Sequence, residues 1–114
     1  MKIVFSVEGE SCSWDALIDP RLGRAQNFVI YDEASGSLER LSNTLNSDKE
    51  HGAGLHMAKL MLDLGADVII TGNGPGEKAS AVLAKSNIEI YIGATGMSLK
   101  SAYDAYQNSE LKKF

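Results

Sequence analysis

Cysteine is almost missing: Cys12 stands alone in 114 residues. One thiol closes no internal disulfide and builds no all-cysteine zinc or iron–sulfur site, which need several thiolates. It points to a reducing compartment. Positive charge is also scarce. Eleven Lys and Arg face fifteen Asp and Glu, a formal net charge of −4, which argues against a nucleic-acid partner held by phosphate neutralisation. The basic pair Lys112 and Lys113 reads as a solvated tail. No apolar run is long enough to span a bilayer, and in MKIVFSVEGE the acidic Glu8 and Glu10 arrive too early for a secretion signal. A cytoplasmic protein without a membrane partner is expected. The strand-like runs KIVFSV and DVIIT lack the paired carboxylates of two-metal nucleases, with only Asp67 at the wrong end.

What is present is ordinary globular material. Apolar residues make up 44% and charged residues 23%, enough for one domain over 1–114 with a real core. KIVFSV (2–7) reads as a first strand, followed by a long connection, 8–24, broken by Gly9, Pro20 and Gly23. NFVIYD (27–32), the turn EASGS and the alternating LERLSN form an antiparallel hairpin with an edge strand. HGAGLHMAKLMLDLGA has helical periodicity. Leu55, Ala58, Leu62 and Ala66 mark its buried stripe, Met57, Met61 and Leu64 widen it, and Gly65 is its stop. DVIIT is a central strand, EKASAVLAKS a short helix buried through Ala79, Val82 and Leu83, and IEIYIG a fifth strand. SLKSAYDAYQNSELKK is a last helix buried through Leu99, Ala102, Tyr103 and Tyr106. The order is βββαβαβα. Right-handed crossovers place strands four and five parallel to strand one. The loops 8–24, 43–56, 72–78 and 93–98 then meet at one carboxyl edge, where open α/β sheets hold ligands.

The loop GNGPGEK (72–78) fails the nucleotide signatures. A Walker A loop needs Gly-Lys and then Ser or Thr; here Glu77 precedes Lys78 and Ala79 follows. The dinucleotide fingerprint needs G-x-G-x-x-G; Gly72, Gly74 and Gly76 give G-x-G-x-G. Its backbone N–H groups and the helix start behind it suit some other anion, while the plainer reading is a tight strand-to-helix turn. GATGMS (93–98) repeats the arrangement one strand further on, with Thr95 or Ser98 as N-cap. His51 and His56 are five apart, not the i, i+4 spacing of a helical zinc pair, and Met57 and Met61 read as core filler. His51 reads equally as a functional or a solvated loop position. A Cys12 nucleophile assisted by His51 has no fixed geometry behind it, and an incidental loop cysteine is the plainer reading.

Three stretches together, DPRLGRAQNFVIYD, HGAGLHMAKLMLDLGADVIITGNGPGEKASAVLAKSNIEIYIGATG and SLKSAYDAYQNSELK, resemble the dinitrogenase iron–molybdenum cofactor biosynthesis family of NifX- and NafY-type carriers. The similarity is strongest to its orange-protein branch. It implies a ribonuclease H-like α/β fold: a mixed five-stranded sheet of order 3-2-1-4-5 with helices on both faces. It implies non-enzymatic binding of an anionic molybdenum-containing metal–sulfur cluster, for storage, carriage or sensing. In the orange-protein branch this is a molybdenum–copper sulfide cluster held without covalent protein–metal bonds. The alternatives are the nitrogenase iron–molybdenum cofactor or its precursor, and a cluster-free regulatory domain working through P-loop ATPases of the Mrp/MinD type. A cluster that brings its own sulfide asks for few thiolates, and its charge suits backbone N–H groups and basic side chains. Glu8, Glu10 and Glu77 oppose that charge. Many members carry His-Phe-Gly-Arg where this chain has Arg21-Leu22-Gly23-Arg24, which implies charge pairing in place of metal ligation there. The candidate cofactor-binding residues are Cys12, Arg21, Arg24, His51, Gly52, His56, Gly72, Asn73, Gly74, Pro75, Gly76, Lys78, Thr95 and Met97, with no catalytic residue and no direct metal ligand.

Overall fold

Strand β1 (Lys2–Val7) is buried from Ile3 onward, because both faces of an apolar run with no alternation must be covered. In the computed structural model, which describes residues 1–43 and 53–114, β1 lies at the centre of a mixed sheet. It pairs antiparallel with β2 (Asn27–Asp32) and parallel with β4 (Val68–Ile70). Strand β3 (Ser37–Ser42) closes the hairpin at one edge, with only Leu38 and Leu41 half-buried on an otherwise exposed strand. Strand β5 (Glu89–Ile92) continues the sheet in parallel beyond β4. The expected order 3-2-1-4-5 holds within a sheet of six strands, β3-β2-β1-β4-β5-β6.

The sixth strand corrects the sequence reading. Lys112 and Lys113 are not a tail: they form β6 (Lys112–Lys113), antiparallel to β5, and the Phe114 amide donates to the Ile90 carbonyl at 2.8 Å. The last helix, α3 (Leu99–Gln107), is correspondingly shorter than expected. Ser109 takes φ +60°, its amide donates to the Tyr106 carbonyl at 3.2 Å, and the Glu110 amide reaches back to Ala105 at 2.8 Å. This is a Schellman stop with Ser in the left-handed position that Gly usually fills. It turns the chain so that Leu111 buries. At the other end Ser98 is the N-cap, its hydroxyl accepting from the Ser101 amide at 3.2 Å.

Helices α1 (Ala53–Leu64) and α2 (Glu77–Leu83) cover one face of the sheet, over Val4, Phe28, Ile30, Ile69 and Ile90. Helix α1 is rotated from the expected stripe. Met57, Ala58 and Met61 are fully buried, whereas Leu55 and Leu62 remain 41% and 42% exposed. Met57 and Met61, expected only to widen the stripe, lie at its centre, where an unbranched thioether packs adaptably. Gly65, at φ +70°, ends α1 with the same two-bond stop, its amide on Leu62 and that of Ala66 on Met61. The other face is covered by α3 and by the 8–26 connection, whose Ala16 and Ile18 join the core against Ile3, Phe5, Val68 and Ile70. No helix among the described residues is long and apolar enough to cross a membrane.

Candidate functional site

The parallel strands β1, β4 and β5 all end at one edge, and the loops leaving them are fastened to one another there. The 8–26 connection bridges back to β1 at Val7–Ile18 and across to the α3 start at Leu17–Ser98. The Ile18 amide donates to the Met97 carbonyl at 2.9 Å, and the Asn73 amide to the Pro20 carbonyl at 2.9 Å. The Gly93 amide donates to the Gly72 carbonyl at 2.9 Å. Three separate stretches of chain are thereby held as one shelf. Gly72 has to be Gly: a Cβ there would stand 2.1 Å from Thr95 Oγ1 and 2.7 Å from Pro20 Cα.

Beneath the shelf is a small buried polar knot that the sequence reading missed. Ser6, Asp19 and Thr71 are buried at the ends of β1, the connection and β4. The Ser6 hydroxyl donates to the Asp19 carbonyl at 2.7 Å and lies 2.7 Å from Thr71 Oγ1. The Asp19 carboxylate accepts from the Arg21 backbone amide at 2.8 Å and from its Nε and Nη2 at 3.2 and 3.1 Å. That grip raises the Arg21 pKa above its already high value, through the hydrogen bond and charge of Asp19. Arg21 is therefore oriented, but much of its charge is answered from below. The spacing Asp-Pro-Arg was the signal available: an Asp two residues before a loop amide is the pattern of a side chain that organises its own turn.

The 72–78 loop presents more main chain than side chain. The N–H groups of Gly74, Glu77 and Lys78 donate to no acceptor among the described residues. Asn73, Gly76 and Lys78 are exposed; Gly74 and Pro75 are half-buried. Gly76 precedes α2 at φ −66° with no side-chain cap, and a Cβ there would meet nothing within 4 Å. Gly74 is different. The ring of Phe114 stands where its Cβ would be, with Cε1 at 2.2 Å from that point. Phe114 itself is 52% exposed, so one side of this loop lies under a ring with room to swing away.

The structure thus brings Arg21, Gly72, Asn73, Thr95 and Met97 together through the backbone bonds and contacts above, with Gly74, Pro75, Gly76 and Lys78 continuing the loop. It leaves others apart. Cys12 is exposed, and no hydrogen bond or ion pair among the described residues links it to this group. Arg24 is exposed, in a segment tied to β3 by Asn43, whose Nδ2 donates to the Ala25 carbonyl at 2.8 Å. His56 is exposed on α1 beside a shallow cavity of about 260 Å³ shared with Lys59, Leu60 and Asp63. His51 and Gly52 lie outside the described residues. Among the described residues no three His, Cys, Asp or Glu side chains are grouped to hold a metal ion.

Comparison with known proteins gives a consistent picture. A family model described as dinitrogenase iron–molybdenum cofactor matches residues 1–109. The apo form of the orange protein from Desulfovibrio gigas is 30% identical, with a TM-score of 0.89 over 99% of this chain and 92% of that one. A putative NifB protein from Thermotoga is similar in fold at 24% identity, with a TM-score of 0.80 over 98% of this chain and 91% of that one. Among curated proteins no sequence matches.

Proposed function

Since the chain belongs to the dinitrogenase iron–molybdenum cofactor family, we propose that it binds an anionic molybdenum–copper sulfide cluster on the shelf formed by 20–21, 72–78 and 93–97. Cofactor binding or carriage is the role its family and its likeness to the orange protein support. The observation that carries the finer reading is the fastening of three Gly-containing loops at one edge with main-chain donors left over at Gly74, Glu77 and Lys78. Such donors hold oxo or sulfide atoms without replacing them, and need no protein thiolate. The exposed side chains of Arg21 and Lys78 add charge pairing of the weak, screened kind. Binding and release of cargo, with no bond made or broken in the protein, is all the chemistry this arrangement requires.

The test is anaerobic titration of apo-protein with tetrathiomolybdate and Cu(I), followed by desalting. A visible chromophore that stays with the protein, with molybdenum and copper in fixed ratio, is the expected result. Colour that elutes entirely with small molecules, from protein that still melts cooperatively, contradicts it. The family description itself favours a second reading, the iron–molybdenum cofactor or its precursor; iron accompanying molybdenum in protein isolated from its own host selects it.

A further inference from the structure

At the opposite end of the sheet, a shallow, open polar groove lies between the end of α3, the β2–β3 turn and β5, lined by Met1, Glu33, Tyr91, Tyr106, Gln107 and Ser109. We propose that it binds a small organic cation, an ammonium or guanidinium compound, between the Glu33 carboxylate and the Tyr91 and Tyr106 rings.

The carboxylate is held in place before any ligand arrives. Gln107 Nε2 donates to the Tyr103 hydroxyl at 2.7 Å, and that hydroxyl donates to Glu33 Oε2 at 2.7 Å. Glu33 Oε1 has no hydrogen-bond partner, and Glu33 forms no ion pair, among the described residues, while its amide donates to the Met1 carbonyl at 3.1 Å. The neighbouring Glu89, by contrast, already faces Lys113 at 3.4 Å. The rings of Tyr91 and Tyr106 meet edge to face with centroids 5.0 Å apart. A carboxylate beside two aromatic rings is the pairing that recognises ammonium and guanidinium groups. The end of α3 contributes the same sign: its last turn carries no basic residue to answer the negative end of the helix.

An ¹⁵N-labelled sample titrated with 1,4-diaminobutane tests this, with succinate as the four-carbon anionic counterpart. Saturable shifts are expected at the amides of Glu33, Tyr91, Gln107 and Ser109 with the diamine and none there with succinate. Glu33→Gln keeps an acceptor for Tyr103 and should weaken binding by about five-fold. Tyr106→Leu should weaken it similarly and Tyr106→Phe restore it, since the ring and not the hydroxyl does the recognising. Shifts of equal size with succinate, diamine shifts spread over acidic residues elsewhere, or undiminished binding by folded Glu33→Gln each overturn the proposal.

Discussion

Gly72 and Gly76 sit four residues apart in one loop and do different jobs. Gly72 lies against Pro20 and Thr95 with no space for a methyl group, whereas Gly76 faces open space. Gly72→Ala should therefore force the backbone of two loops apart and cost about 1–3 kcal/mol, while Gly76→Ala should change the unfolding free energy in urea titrations by no more than about 0.5 kcal/mol. Equal effects of the two would remove the close approach at Gly72 from the explanation of the shelf. A similar contrast holds for Asp19. Asp19→Ala leaves the Arg21 amide and guanidinium without their acceptor and should destabilise the fold by about 1–3 kcal/mol; Arg21→Ala removes only the exposed partner and should cost less. Denaturation curves of both variants decide it, and a milder Asp19→Ala would mean that the buried carboxylate is not the organiser of this turn.

At the level of elements, the order and direction of the first five strands were legible because apolar runs, turn residues and crossover handedness all agreed. Helix α1 was legible as a helix but not in its rotation: leucine and methionine are equally apolar in the pattern, and only the shape of the sheet beneath selects Met57 and Met61. Met61→Ala should cost about 2–5 kcal/mol, and Leu62→Ala, on the 42% exposed side, well under half of that. Reversal of that ranking in thermal melts would contradict the packing. The end of α3 was misread because its stop uses Ser109 and not Gly, so nothing in NSELKK announces a break. Strand β6 was misread with it, since two lysines carry no strand signal of their own. Native-state hydrogen exchange should find the Phe114 amide protected by its bond to Ile90; exchange at the rate of an unfolded chain would return 112–114 to a tail. Within the candidate site, the loops were legible from glycine placement. Asp19, Ser6 and Thr71 were not, because a buried polar knot depends on which strand ends meet, and single polar residues carry no periodicity.

Across the whole molecule, tyrosines tie α3 to the sheet and set its response to alkali. The Tyr103 hydroxyl is pushed up to about 12, first by its hydrogen bond to Glu33 and then by burial. Tyr91 and Tyr106 are also raised, chiefly by burial. A phenol whose folded pKa lies above its unfolded value of 10 contributes stability that is complete below pH 10 and is lost as pH rises toward 12. Stability should hold from neutrality to about pH 10 and then fall, with tyrosinate absorbance appearing late; Glu33→Gln should bring part of that absorbance to lower pH. Tyrosinate appearing in one step near pH 10 in the folded protein would contradict this arrangement. The edge proposed to bind the cargo lies at the other end of the same sheet, and binding there would ask the fold for a fixed platform. The most direct measurement is a residue-resolved footprint: ¹⁵N–¹H spectra of apo-protein recorded during anaerobic addition of tetrathiomolybdate and Cu(I). Shifts or broadening concentrated at Arg21, Asn73, Gly74, Gly76, Lys78, Thr95 and Met97 are the result expected if the three fastened loops hold the cluster. A footprint centred on His56 and Asp63, or on Cys12 alone, with the 72–78 amides unmoved, would place the cargo elsewhere and contradict the account.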